Sequence, residues 1–316
     1  MRAQGGAGRR WLLFALGAMF FFGVTNFSLG FISEKSPGDP GASLKAAMLL
    51  WLGTGLLGMA GSAYFLFSGR GFSGLPRRSC AFLPLAAGVT LAAGMLLLKI
   101  SLAANALAKG PIVAIASSNS LVVALLAWAL LRERLSLAQL AGFLVIIAGI
   151  ALLSQAGMAR GNLDAVGFAV AAMLLLGLTN FLLKLAGEQG CDSLTASVIL
   201  WLSVGACGVL LCAWQWQARS RWPGLEHPGL GWLALLAGVF LGLGMLGIKR
   251  AVTLGPAGPA TAVSGSNAIL VSLLDLVLLG HGLAPLKLAG MLAAVAGIVM
   301  LALARPMIKT SAGRAA

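Results

Sequence analysis

The sequence predicts an all-α integral membrane protein with ten transmembrane helices, arranged as two inverted five-helix repeats. Three observations lead to this fold class. Long apolar stretches fill nearly the whole chain, charged residues make up only 9% of it, and short motifs recur in the same order in its second half. A soluble domain carries about 25% charged residues. The composition therefore excludes a soluble catalytic domain.

Ten stretches are apolar and long enough to cross a bilayer, which takes about 20 residues. They cover residues 11–31, 44–68, 80–106, 111–131, 136–156, 163–187, 194–216, 229–253, 257–279 and 284–304. Turn and charge signals separate them. The shortest breaks, at Gly110-Pro111 and between Gly255 and Pro259, predict tight helical hairpins.

An internal repeat relates the two halves. The matching residues are Gly23 with Gly177, Asn26 with Asn180, Lys99 with Lys249, Gly110-Pro111 with Gly258-Pro259, and Asn119 with Asn267. The sequence thus divides into domains 1–156 and 157–316. Because five helices is an odd number, the second repeat must enter the membrane inverted. Inverted repeats are typical of secondary transporters, whose substrate site lies near the midplane.

Lysine and arginine predict the orientation, since they concentrate in cytoplasmic loops. With the N-terminus inside, the inner segments of the first repeat hold eight of these residues and the outer segments hold four. We therefore expect both termini in the cytoplasm and the chain in the plasma (inner) membrane. The net charge of +14 follows from these loops and does not indicate nucleic acid.

The stretch from Gly110 to Ser154 carries a family pattern. Its parts are Leu131-Arg132-Glu133-Arg134-Leu135, Gln139-Leu140-Ala141-Gly142 and Ala148-Gly149-Ile150. The pattern resembles the EamA family of the drug/metabolite transporter superfamily. The second copy, from Gly258 to Leu303, matches except that His281 stands in place of Glu133. The resemblance implies ten helices and transport without ATP. It leaves the solute open, because the family moves amino acids, other metabolites and drugs.

Four basic residues lie inside predicted spans: Lys99, Lys184, Lys249 and Arg250. A charge at a helix centre costs about 2.5–3.5 kcal/mol, so such residues usually face a cavity. We predict that Lys99, Lys249 and Arg250 bind substrate, and that their charges favour an anionic solute. The alternative is that the lysines are structural, reach the membrane surface from near a helix end, and leave the solute neutral. Lys184 fits this alternative better.

Four asparagines also match between the repeats and are predicted to bind substrate: Asn26, Asn119, Asn180 and Asn267. The alternative role is hydrogen bonding between helices, which is common in membrane bundles. Asp275 is the only acid well inside a span and is the candidate for proton coupling. Its place near the end of that span favours an interfacial position instead.

The rivals to a transporter are a membrane-embedded enzyme and an accessory subunit without transport activity. The sequence has eight acids with no paired carboxylates beside an apolar run, and its four cysteines form no metal-binding motif. We interpret the cysteines as small apolar residues and predict no catalytic site, metal or cofactor. The expected partners are a small-molecule solute and the lipid bilayer, with a homodimer left open and no nucleic acid.

Overall fold

A computed structural model describes residues 10–36, 39, 41–69, 78–104, 115–133, 135–153, 163–219, 228–280 and 285–303. These residues form α-helices and no strand. The helices are α1 (Arg10–Lys35), α2 (Ala42–Phe67), α3 (Ser79–Ala104), α4 (Asn119–Leu131), α5 (Leu137–Leu153), α6 (Leu163–Glu188), α7 (Ser193–Arg219), α8 (Pro228–Leu254), α9 (Ala257–Gly265), α10 (Ala268–Leu279) and α11 (Pro285–Leu303). The predicted stretches overlap these helices; the stretch 257–279 comprises both α9 and α10, and the stretch 111–131 begins outside the described residues.

Seven segments of the described chain are long and apolar enough to cross a membrane. They comprise α1, α2, α3, α6, α7, α8, and α9 together with α10. Three further apolar helices are shorter: Ile115–Leu131, Leu137–Leu152 and Leu288–Leu301. Exposed leucine, phenylalanine and tryptophan side chains cover much of the bundle surface, as expected of helices in contact with lipid. The chain is therefore a multi-pass integral membrane protein.

Contacts between helix ends define one face of the bundle. Trp11 near the start of α1 lies against Gly255, just after α8. Glu133, just after α4, bonds to Ala257 at the start of α9, and Cys80 in α3 meets Cys191 between α6 and α7. We call this end the N-terminal face. The helices α1, α3, α7 and α9 begin at this face, and α2, α4, α6 and α8 end at it.

Glycines let the helix backbones approach closely. Gly55 of α2 crosses Gly205 of α7, and a Cβ added at Gly205 would lie 2.4 Å from the Gly55 Cα. In α5 and α11, Gly142 and Gly297 make a similar contact. Small residues at helix crossings are typical of membrane bundles, where close packing replaces the hydrophobic effect as the source of stability. Gly55 and Gly205 occupy matching positions of the repeat.

Two helical runs are interrupted at matching positions. Residues 115–117 form a helical turn before Ser118, where φ is −73° and ψ is 8°, and α4 follows. The run α9–α10 is interrupted at Ser266, where φ is −72° and ψ is 14°. At both sites a serine is followed by an asparagine. Interrupted helices free backbone groups inside the membrane, where protein contacts or a water-filled cavity must satisfy them.

Candidate functional site: a charged cluster and a polar midplane

A buried ion pair joins three elements at the N-terminal face. The helix α4 ends at Arg132, whose left-handed φ of 53° turns the chain and directs Glu133 inward. A carboxylate oxygen of Glu133 lies 2.7 Å from the Lys184 ammonium of α6. The other oxygen accepts the backbone N–H of Ala257 at 3.0 Å. Left-handed backbone is uncommon for residues other than glycine and often marks a functional position.

Lys184 is deeply buried, with 4% of its surface exposed. Besides Glu133, its ammonium donates to the Gly255 carbonyl at 3.1 Å and lies 3.4 Å from the half-exposed carboxylate of Glu188. A buried cation is stable only when it is paired and hydrogen-bonded. The cluster therefore ties α4 and α6 to the turn between α8 and α9. The spacing of Glu133 and Lys184 in the sequence does not predict this pair, although both are unusual charges within an apolar chain.

Lys249 lies beside this cluster and is fully buried. Its ammonium donates to the Thr253 hydroxyl at 3.0 Å. The site exists because residue 187 is glycine, since a Cβ there would lie 2.9 Å from the Lys249 nitrogen and 2.5 Å from the Thr253 oxygen. No carboxylate of the described residues lies within 4.0 Å of the Lys249 amine. Lys249 is thus enclosed by protein.

Arg250 points away from Lys249, as the angle between successive helix residues requires. It is exposed, and its guanidinium lies 5.7 Å from the centre of the Phe14 ring. Asp192, the residue before α7, accepts hydrogen bonds from the backbone N–H groups of Leu194 and Thr195. Burial raises the pKa of Asp192, but these bonds and the charge of Arg250 together hold it below its usual value. The carboxylate therefore caps α7 in its charged form.

Lys99 lies toward the opposite face. It is half-buried, and it extends a stripe of α3 that includes the buried Ala92 and the partly buried Met95. Residues three and four apart share one face of a helix, so Lys99 faces the bundle interior. No ion pair or hydrogen bond of its amine occurs within the described part of the chain.

The two matching lysines do not converge. Lys99 is 20 residues from the start of α3 at the N-terminal face, which is about 30 Å at 1.5 Å per residue. Lys249 is five residues from the end of α8 at the same face, which is about 7.5 Å. The lysines are thus separated by about 20 Å along the bundle axis. Each half of the bundle holds one of them.

The asparagines lie near the middle of the bundle. The Asn26 amide donates to the Asn267 carbonyl oxygen at 2.9 Å, which joins α1 to the interruption between α9 and α10. Asn267 donates to the Ser264 carbonyl and Asn119 donates to the Ala116 carbonyl, each three residues back. The exposed amide of Asn26 and the half-buried amides of the others form a polar layer. Asn180 makes no hydrogen bond within the described chain.

Asp275 lies in α10, four residues before the helix ends at Leu279. Its side chain is outside the described part of the structure, as is the whole of His281. The coupling role of Asp275 stays a prediction. The hairpin predicted at Gly110-Pro111 also lies outside the described residues.

Two cysteines correct the sequence interpretation. Cys80 and Cys191 form a disulfide at the N-terminal face, so they are not simply small apolar residues. Cys207 and Cys212 have free thiols, as expected. Disulfides persist in oxidising compartments and are reduced in the cytosol. The bridge and the predicted cytoplasmic position of this face therefore disagree.

An apolar groove of about 610 Å³ lies between α4, α5 and the start of α9. Trp128, Phe143 and Gly258 contribute to its walls, and Glu133 is its charged residue. Trp128 is 65% exposed, so the groove opens onto the outer surface of the bundle. Its composition suits lipid contact better than recognition of a polar solute.

Residues 164–303 match the EamA-like transporter family. The chain also resembles 26 chains of known structure. One of them, described only as "Crystal structure of protein", has a TM-score of 0.70 and 19% sequence identity, and the match covers 92% of this chain and 96% of the other. At that identity the likeness establishes the fold alone. No curated protein matches the chain significantly.

Proposed function

We infer, because the chain belongs to the EamA-like transporter family through residues 164–303, that it is a secondary transporter of a small organic metabolite with an anionic group. It works as an exporter or exchanger, by alternating access between two inverted five-helix repeats at residues 1–156 and 157–316. Transport requires neither ATP nor a cofactor. On the distribution of basic residues, both termini face the cytoplasm of a plasma (inner) membrane; in that orientation Cys80 and Cys191 are thiols in the cell and form their bridge only on oxidation.

The observation that carries this proposal is the pair of helical interruptions at Ser118 and Ser266. Both present backbone carbonyls and an asparagine amide near the middle of the bundle. Discontinuous helices of this kind form the substrate sites of several inverted-repeat transporters. Asn26 and Asn180 reach the same layer from α1 and α6. The solute site is therefore the polar layer at the midplane, with side chains from both repeats.

The positions of the lysines support an anionic solute. Lys99 faces the interior without a partner in the described chain, and Lys249 is buried without a carboxylate within 4.0 Å. An anionic group that passes along the bundle meets one lysine on each side of the midplane. Each lysine offsets part of the dehydration cost of the solute. Arg250 is exposed on another surface of α8 and contributes least to this path.

A ligand screen tests the substrate class. The purified protein in detergent is heated with single carboxylates, phosphorylated metabolites, neutral sugars and organic cations, because a ligand that binds the folded state raises Tm by mass action. We expect carboxylates or phosphates to raise Tm, and Lys99→Gln to abolish the effect. Lys45→Gln, at a loop ion pair with Asp39, is the matched control and should leave it intact. Stabilisation by neutral or cationic solutes alone, unchanged in Lys99→Gln, would refute the anionic substrate.

A further inference from the structure

Two buried tryptophans occupy matching positions of the repeats. Trp51 lies in α2 and Trp201 in α7, 150 residues apart, and their exposed fractions are 0% and 3%. Their surroundings also match, because Gly208 lies against Trp51 and Gly58 lies against Trp201. If the two repeats had the same conformation, both indoles would make equivalent hydrogen bonds.

The hydrogen bonds of the two indoles differ. Trp201 donates its N–H to the Gly242 carbonyl of α8 at 2.9 Å. The indole nitrogen of Trp51 is buried and has no hydrogen-bond partner in the described structure. A buried donor without an acceptor is costly, because the membrane interior offers no water in its place. A second state in which Trp51 finds an acceptor would recover this cost.

The repeat identifies the acceptor that Trp51 lacks. The position that matches Gly242 is Ala92, which is buried in α3. Helix α7 packs on α8 more extensively than α2 packs on α3. The backbone carbonyl of Ala92 thus belongs to a helix that packs less extensively on α2 than α8 packs on α7.

The hydrogen bonds of the asparagines also differ between the two repeats. Asn26 is bonded to Asn267, whereas the matching residues Asn180 and Asn119 are not bonded to each other. Gly23 and Gly177 nonetheless pack at matching positions, against Leu270 and Val122 respectively. The two halves therefore share this glycine contact but differ in which polar contacts are formed.

We propose that the two repeats exchange these hydrogen bonds during the transport cycle. In the state described, Trp201 bonds to Gly242 and Asn26 to Asn267, and the N-terminal face is held by the Glu133–Lys184 pair. In the alternate state, Trp51 bonds to the Ala92 carbonyl, Asn180 bonds to Asn119, and the Trp201 and Asn26 contacts are released. The inference rests on the proposed alternating access, and it identifies which contacts alternate.

Matched tryptophan variants test the exchange. Trp201→Phe removes a bond of the present state and should favour the alternate one, while Trp51→Phe removes a bond of the alternate state. The readout is maleimide labelling of Ser264→Cys, since Ser264 is 3% exposed and lies in α9, seven residues from its start at the N-terminal face. Cys207 and Cys212 are replaced by alanine, the Cys80–Cys191 bridge is kept oxidised, and the same protein without Ser264→Cys gives the background.

We expect Trp201→Phe to raise the labelling rate about threefold to tenfold and Trp51→Phe to lower it by a similar factor, the size expected of one hydrogen bond. The double variant should return close to the parent rate. Equal changes in the same direction, or no change in Trp51→Phe, would overturn the proposal. If Trp201→Phe does not fold, the decrease expected for Trp51→Phe alone still decides the question.

Labelling separates this inference from the proposed function, because it does not require the solute. If the two variants change the labelling rate in opposite directions but the protein transports no tested metabolite, the exchange is supported and the proposed substrate class is wrong. Solute counterflow with identical labelling in both variants would support transport and refute the exchange.

Discussion

Removal of the Lys184 ammonium is the perturbation whose effect the structure defines best. Lys184→Met keeps the length and apolar stem of the side chain but leaves the Glu133 carboxylate without its cation. That carboxylate is 15% exposed and retains the Ala257 N–H as its remaining partner in the described structure. Removing one partner of a buried ion pair costs about 3–5 kcal/mol. Because Glu133 is partly exposed and keeps one hydrogen bond, we expect about 3 kcal/mol.

The other members of the cluster should respond differently. Glu133→Gln still accepts the Ala257 N–H, and Lys184 keeps the Gly255 carbonyl and Glu188, so its cost should be about 1–2 kcal/mol. Glu188→Gln is the matched control. Its carboxylate is 43% exposed and 3.4 Å from Lys184, and an exposed pair contributes less than about 1 kcal/mol.

A double-mutant cycle measures the coupling between Glu133 and Lys184. Equilibrium unfolding by SDS in mixed micelles gives the free energy of unfolding for the parent, both single variants and the double variant. The double variant should be less destabilised than the sum of the singles by about 1–2 kcal/mol, because each single change already breaks the pair. If each single variant lowers the free energy of unfolding by less than about 0.5 kcal/mol and the two losses simply add in the double variant, the buried pair does not stabilise this face.

Three further changes test other parts of the structure. Gly205→Ala should lower Tm by several degrees, because the new Cβ meets the Gly55 Cα, whereas Gly17→Ala has open space and should not lower it. Gly187→Ala should displace the Lys249 and Thr253 side chains and so reduce solute affinity, which the ligand-induced rise in Tm measures. An unchanged affinity would show that Lys249 does not contact the solute. If both termini are cytoplasmic, Cys80 and Cys191 should be free thiols in cells quenched with acid, and they should form a disulfide only after oxidation. A disulfide already present in those cells would contradict the predicted orientation.

The sequence predicts the helices well because the membrane imposes a long apolar run on each of them. The inverted repeat that the sequence predicts would bring residues near the centre of each half together at the midplane, and Asn26 does donate a hydrogen bond to Asn267. The same symmetry has a consequence for the lysines. Matching residues away from the midplane lie on opposite sides of it, so Lys99 and Lys249 face different halves of the bundle. The substrate-binding role of the two lysines stays a prediction, and it would act at two separate points along the bundle axis.

The tertiary pairs were not predictable from spacing. Glu133 and Lys184 belong to different repeats, and Cys80 and Cys191 are separated by 111 residues without a local motif. A weak signal existed for the ion pair, because Lys184 is a cation within a span and Glu133 closely follows an apolar helix. Only the packing of α4 against α6 brings them together. The repeat in the sequence predicts equivalent halves, whereas the hydrogen bonds of Trp51 and Trp201 differ.

Carriage of a small anionic metabolite across the membrane without ATP is tested most directly by counterflow. Proteoliposomes are loaded with the carboxylate or phosphate that raises Tm most and are diluted into a trace of the same labelled compound. We predict transient, saturable accumulation of label that is lost in Asn267→Ala and in Lys99→Gln and retained in Lys45→Gln. Binding of the compound without any counterflow, in liposomes where the parent protein is folded, would contradict transport and favour an accessory or enzymatic role.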